Sequence, residues 1–397
     1  MSGPVYPFSP EVLDAMPEQL AETFRGLELR LLREISTRLV EAGGLNERSL
    51  QQIRVLQSHG ISTEEIKKAL QYTAGISEKQ LEAVLADTVA KNRRYYGELA
   101  DFVKITMPDS IMDAVTINAI MQGTKDELLN ITRSMGFVVD AGRTLLPPGE
   151  AYRWALNRAA VEVQSGALSY GEAIANATRE LADSGLRVVE YESGRKDQVD
   201  VAVRRAVMTG ISQISDRYTE QSAAALGTQY FEVSAHAGAR DTPGPEGWEA
   251  HVEWQGKVYY ESVAGEPDPL GKYLDLYRST GYGEITGLGG INCRHRRFPF
   301  FPGISERTYT DEQLAHIDKP PFEFEGRTYT TYQATQKQRQ IENSIRHWKR
   351  REAAATNDED RQAALARIRR LDDYYRDFSK AAGLQMQRER TAAYIPD

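Results

Sequence analysis

Leu20, Phe24, Leu27, Leu31, Ile35 and Leu39 recur at intervals of three and four residues. That spacing puts all six on one stripe of a long amphipathic helix, which Gly43-Gly44 closes. The same period returns along most of the chain up to about residue 230, so the fold is expected to be built mainly from helices. Asn46 is suited to cap a helix over 47–58 that ends at His59-Gly60. Ser62-Thr63-Glu64-Glu65 opens another helix, and Ser77-Glu78-Lys79-Gln80 opens a longer one ending near Tyr95-Tyr96. Two more helical patterns fall within 107–137, and Pro147-Pro148-Gly149 is a break. Helices are expected over 152–164 and 169–183, a short strand over 186–191 and a turn over 193–195. A strong helix over 198–226 carries the stripe Val203, Val207, Gly210, Ile211, Ile214 and Tyr218. A glycine on such a stripe predicts close approach of a neighbouring element.

After Gly227 the period changes. The run TQYFEVSAH alternates like a strand. Residues 238–303 are rich in Gly, Pro and aromatics, with Lys257-Val258-Tyr259-Tyr260 as a further short strand. From about Gln333 the helical period returns twice. The first stripe is Ala334, Gln338, Ile341, Ile345 and Trp348. The second is Ala364, Ile368, Leu371, Tyr375 and Phe378, with Thr356-Asn357-Asp358 between them as a cap. The expected fold is mainly α. An extended N-terminal helical region (1–146) leads to a second helical region (147–227) with the long helix 198–226. A small loop-rich α+β module (228–305) follows, then a linker and a C-terminal helical hairpin (306–397).

The chain has 397 residues and a net charge of −8, which excludes nucleic-acid binding driven by bulk charge. A single cysteine excludes an internal disulfide framework. No apolar run reaches membrane-spanning length, and the first residues lack the basic and apolar segments of a signal peptide. These features lead us to expect a protein that acts inside a cell or inside something assembled there.

Three of the six histidines, His236, His251 and His295, fall in the same module as the one cysteine, Cys293. Cys-x-His on extended chain presents both side chains on one face. With His236 and His251 the set could ligate Zn²⁺, the only cofactor these residues suggest. There is no Cys-x-x-Cys, and the competing reading is a set of polar side chains hydrogen-bonding a loop-rich core. A cysteine nucleophile would need His236 or His251 as base and Asn292 or Asp241 as orienting group. Gly287-Leu288-Gly289-Gly290 lacks the residues of a phosphate loop. Arg240, Arg294, Arg296 and Arg297 could face DNA phosphate or pair with internal carboxylates. Trp248, Trp254, Phe298, Phe300 and Phe301 read as the filling of the module. The hairpin and the first long helix suit partner contacts.

The ordered segments VSAHAGAR (233–240), HVEWQGKVY (251–259), TGYG (280–283) and GLGGINCRH (287–295) resemble the phage minor capsid protein 2 family. Residues 233–240 (VSAHAGAR) resemble its SAH-x-GAR signature, with Ser234, His236, Gly238 and Arg240. Residues 251–259 (HVEWQGKVY) resemble its H-x-x-WQGK-x-Y element, with Trp254, Gln255 and Gly256. Residues 280–283 (TGYG) and 287–295 (GLGGINCRH) resemble a third, with Gly290, Asn292, Cys293, Arg294 and His295. Residues 299–306 and 332–339 are similar to the segments that follow, and the first helices to the family's opening. The family usually carries a proline soon after the arginine and a short step to the next histidine; here Asp241 follows Arg240, and the loop to His251 is longer. The resemblance implies a structural protein of tailed-phage or prophage heads, present in few copies and related to head-morphogenesis proteins. It implies the portal and major capsid proteins as partners, packaged DNA as a further one, and residence in a virion assembled in the host cytoplasm. No catalytic residue carries over from it. The alternative is a metal-dependent or toxin-like enzymatic module at 228–305.

Overall fold

The computed structural model describes residues 3–43, 64–106, 114–189, 194–262, 265–290 and 293–394. The expected helix over 47–58 with its Asn46 cap, and the start at 62–63, lie outside these residues. A short helix α1 (Pro10–Ala15) is capped by Ser9, whose Oγ accepts the Val12 N–H. It leads into α2 (Glu18–Gly43). All six residues of the α2 stripe are buried. Each such Leu or Phe stabilises the fold by about 1.5–3 kcal/mol relative to exposure.

The next helix, α3 (Glu64–Val103), passes through the expected start at Ser77 without a break. The buried face explains this. Ile66, Ala69, Thr73, Ser77, Leu81 and Leu85 are all buried at helical spacing. The Ser77 hydroxyl donates back to the Ala74 carbonyl instead of capping a new helix. Helix α4 (Ala114–Ser134) ends before 137, because Gly136–Val139 forms strand β1. That strand pairs with β2 (Thr144–Leu146) and β3 (Leu186–Val189), and β3 pairs with β4 (Lys196–Gln198). The antiparallel sheet has the order β2-β1-β3-β4. Of its strands the sequence suggested only β3, from the apolar and β-branched run LRVVEY; all four are only three or four residues long.

Helices α5 (Pro148–Gln164), α6 (Tyr170–Ser184) and α7 (Val199–Leu226) complete this part. One continuous apolar core joins Phe8 and Leu13 to residues of α2 through α7 and of the sheet. In α7 a Cβ added at Gly210 would lie 2.5 Å from Thr124 Oγ1 and 2.9 Å from Thr124 Cγ2 on α4. The expected close approach is therefore real, and the neighbour is Thr124. Gly210→Ala is expected to destabilise the protein by about 1–3 kcal/mol despite its better helix propensity. Thr124→Ala in the same chain should recover most of the loss, measured by chemical denaturation. Additive losses in the double variant would sink this account.

The strands β5 (Tyr230–Val233), β6 (Val258–Tyr260), β7 (Leu274–Asp275) and β8 (Arg297–Phe300) form a second sheet, ordered β7-β6-β5-β8. Its hub β5 pairs antiparallel with both β6 and β8. A short helix α8 (Leu276–Thr280) and a 3₁₀ turn (His251–Glu253) lie in its connections. A small apolar cluster of Val233, Trp254, Tyr259, Leu276, Leu288 and Cys293 fills this part. Beyond it come α9 (Asp311–Ala315), the hairpin β9 (Phe322–Phe324) and β10 (Arg327–Tyr329), then α10 (Thr331–Ala353) and α11 (Asp358–Ala382). Thr330 and Gln333 form a capping box on α10, and Asn357 caps α11. The two helices share an apolar cluster that includes Ala334, Ile341, Ile345, Tyr375 and Phe378.

The fold is thus mainly α, with strands in the middle and a helical C-terminus, as expected. After α11 the chain folds back along α2: Arg25 donates to the carbonyls of Ala392 (2.7 Å) and Glu389 (2.9 Å). Among the described residues, no helix is long and apolar enough to cross a membrane.

Candidate functional site

Three segments converge at the base of the second sheet. His236 follows β5, His251 opens the 3₁₀ turn, Trp254 and Gln255 follow that turn, and Cys293 and His295 precede β8. The register β5–β8 sets this meeting. Ser234 N–H donates to the Arg296 carbonyl (2.8 Å), and Arg296 N–H donates to Ser234 Oγ (2.9 Å), extending the pairing toward the site. Gly256 turns the chain with φ 68° and returns its N–H to the Val233 carbonyl (3.0 Å). At Gly290 a Cβ would meet the backbone oxygens of Ile285 (2.3 Å) and Glu284 (2.4 Å), so only glycine lets the loop close ahead of Cys293. Gly238 donates its N–H to Asp318 Oδ1 (2.6 Å). Asn292 lies outside the described residues.

The His236 and His295 rings stack at 4.5 Å, and His251 meets His295 edge-on at 5.3 Å. Trp254 packs on both His251 (4.5 Å) and His295 (4.8 Å), with its indole N–H bound to the Trp248 carbonyl. Cys293 Sγ lies 3.6 Å from His295 Nδ1. Gln255 is the hub: its Oε1 accepts the His236 backbone N–H (3.0 Å) and lies 3.1 Å from His295 Nε2. His251 Nε2 faces the Thr286 carbonyl and His236 Nδ1 the Ala237 carbonyl, each at 2.9 Å. A side-chain amide oxygen and two carbonyls can only accept, so each facing ring nitrogen carries the proton.

The environment keeps these groups uncharged. Burial, with the repulsion of Arg294, pushes His236 down to about 4. Burial alone does most of the same for His251, also to about 4. His295 is driven well below the usual range by burial and then by its two histidine neighbours. Burial pushes the Cys293 thiol up. A protonated thiol beside a neutral imidazole is not an activated nucleophile. Asp241, an expected orienting group, instead accepts from Thr330 Oγ1 (2.7 Å) at the start of α10.

The arginines divide. Arg297 is buried between the rings of Phe231 (4.4 Å) and Tyr282 (4.3 Å) and pairs with Glu261. Arg296 is buried and donates to Ser212 on α7. These two serve internal contacts and do not face phosphate. Arg240 and Arg294 line a cavity of about 130 Å³ with His236, His251 and Arg339. Arg339 falls in the stretch 332–339 that resembles the family, but its place beside the module comes from the packing of α10. The second feature missed is Asp14. Its Oδ1 takes Arg204 (2.8 Å), and its Oδ2 takes Arg294 (2.8 Å) and Arg390 (3.1 Å).

The model of a family described as phage minor capsid protein 2 matches residues 8–380. A structural protein of Lactococcus phage LL-H is 26% identical over 227 residues, 57% of this chain and 55% of that protein. A structural protein of Lactococcus phage mv4 is 33% identical over 84 residues, 21% of this chain and 58% of that protein. The chain spans about half the length of the curated relatives it matches. No solved structure matches.

Proposed function

The chain belongs to the phage minor capsid protein 2 family, and on that premise we propose that it is a structural component of a tailed-phage or prophage head. The family match over 8–380 carries this reading, and the relatives described as structural proteins support it. In this reading the chain resides in the virion, is assembled in the host cytoplasm, and contacts the portal and major capsid proteins through its helical parts. Packaged DNA is a further proposed partner, met by Arg240, Arg294 and Arg339 around the small cavity. The domain boundaries proposed remain 1–146, 147–227, 228–305 and 306–397. The neutral thiol and imidazoles at the site favour a structural role over catalysis.

Mass spectrometry of purified heads tests this. In a phage or induced prophage encoding the chain, its peptides are expected at a small fraction of the major capsid signal. Chemical cross-links from its lysines to the portal are expected in the same particles. Absence from both procapsids and finished heads would overturn the proposal. Presence without portal cross-links would remove the portal vertex as its place.

A further inference from the structure

We propose that His251, Cys293 and His295 form a binding site for a divalent cation of the zinc class, stapling the small second sheet together. The donors are already gathered. Each of the three buried residues offers one ligand atom, and these atoms lie within 4.8 Å of one another. Zinc held at about 2.0–2.3 Å by tetrahedral ligands needs donor–donor separations of roughly 3.3–3.8 Å. The Cys293 Sγ to His295 Nδ1 distance is 3.6 Å, inside that range. The longest separation needs to shrink by about 1 Å, within reach of side-chain rotation.

The surrounding hydrogen bonds orient the imidazoles as metal ligands. Gln255 Oε1 takes the proton of His295 Nε2, leaving the Nδ1 lone pair toward the cysteine sulfur. The Thr286 carbonyl takes the proton of His251 Nε2, leaving Nδ1 with a lone pair. Ligating histidines characteristically have such an oxygen acceptor behind them. A purely polar core satisfies Cys293 and His295 by a thiol–imidazole bond. The hydrogen bond found for the His251 ring is the one to Thr286, and this ring borders the small cavity, so its second nitrogen is the one left to take a ligand.

One thiolate and two imidazoles favour zinc over magnesium or calcium. Binding would form two bonds to neutral nitrogens and one to sulfur, releasing the Cys293 proton to solvent. His236 stacks face to face on His295, so its ring edge does not join the three, and water fills the fourth position. The cavity that borders His236 and His251 provides the access route. The staple has a physical purpose. The local apolar cluster holds six buried residues, and so small a core gains from a metal cross-link between 251 and 293–295.

The test uses the full chain without a histidine tag, stripped by chelator and titrated with Zn²⁺ or Co²⁺. We expect about one ion per chain and a cobalt spectrum with tetrahedral visible bands plus a near-ultraviolet thiolate-to-cobalt transition. Cys293→Ser should abolish that transition, and His251→Ala should weaken zinc binding tenfold or more. Gln255→Leu should weaken binding roughly 10–100-fold through lost orientation alone. His347→Ala, at a histidine beside Asp183 and outside the site, should leave binding unchanged. The wild-type cobalt spectrum needs no substitution, so a variant that misfolds does not obscure the answer. A wild-type chain that shows no thiolate transition at micromolar cobalt overturns the proposal. So does a folded Cys293→Ser chain that binds equally well.

Discussion

Asp14→Ala is expected to lower the stability of the folded chain by about 3 kcal/mol. Asp14 sits on α1 and holds Arg204 of α7, Arg294 of the module and Arg390 of the returning tail. The substitution removes the shared counter-ion of three crowded guanidinium groups; Arg204 keeps Glu18 (2.9 Å) and Arg390 keeps Glu342 (3.8 Å). Breaking a fully buried pair costs about 3–5 kcal/mol. The effect here falls at the lower end because these four side chains keep between 16% and 26% of their exposure. Burial pushes the Asp14 carboxyl up, but Arg294, Arg204 and Arg390 outweigh it and hold the group below its ordinary value. The exposed pair Lys68–Glu65 is the comparator: Lys68→Ala should leave stability nearly unchanged. Urea denaturation distinguishes the two. Equal losses would show that the Asp14 cluster is only a surface ion pair.

Acidification from pH 6.5 to 4 should destabilise the metal-free chain by several kcal/mol, before most carboxylates titrate. His236 and His251 are held at about 4 in the fold against an ordinary 6.5, and His295 lies lower still. The unfolded chain therefore binds more protons than the folded one throughout that window. The stability is complete above pH 6.5 and is lost as pH falls toward 4. Each of the first two histidines contributes at most about 3 kcal/mol, and the three interact, so the contributions do not add. Arg240 and Arg294 beside them act in the same direction, while Asp14 and Glu11 oppose them. Glu28 and Glu232 work the other way. Burial raises both carboxyls, so the fold takes up their protons first and gains stability as pH falls through that range. Below about pH 4 the depressed Asp14 adds a further loss. Denaturation midpoints at a series of pH values provide the check. A flat profile between pH 7 and 5 would mean that the histidines are hydrated in solution.

Much of the helical frame was legible because burial leaves a period in the sequence. The α2 stripe, the α7 stripe with Gly210, and the capped hairpin each show it over several turns. Strands β1, β2 and β4 were not legible: each is only three or four residues long, and they lack the longer β-branched run LRVVEY that marked β3. Ser77 misled because a serine that caps and a serine that bonds its own helix look alike in sequence. At the site, the gathering of His236, His251, Cys293 and His295 in one module was readable from composition and motif order. The part played by Gln255 in fixing ring protons was not, because it depends on where a single amide oxygen points.

The sequence alone determined the mainly helical class, the change of period after Gly227, and the clustering of three histidines with the only cysteine. These are local properties, set by spacing and residue type. Only the tertiary structure decided which arginines lie inside, that Asp14 joins α1, α7, the module and the tail, and which three donors converge. Those outcomes join residues up to 376 positions apart. They arise when buried charges and polar atoms must find partners as the elements pack, and a linear pattern does not encode that condition.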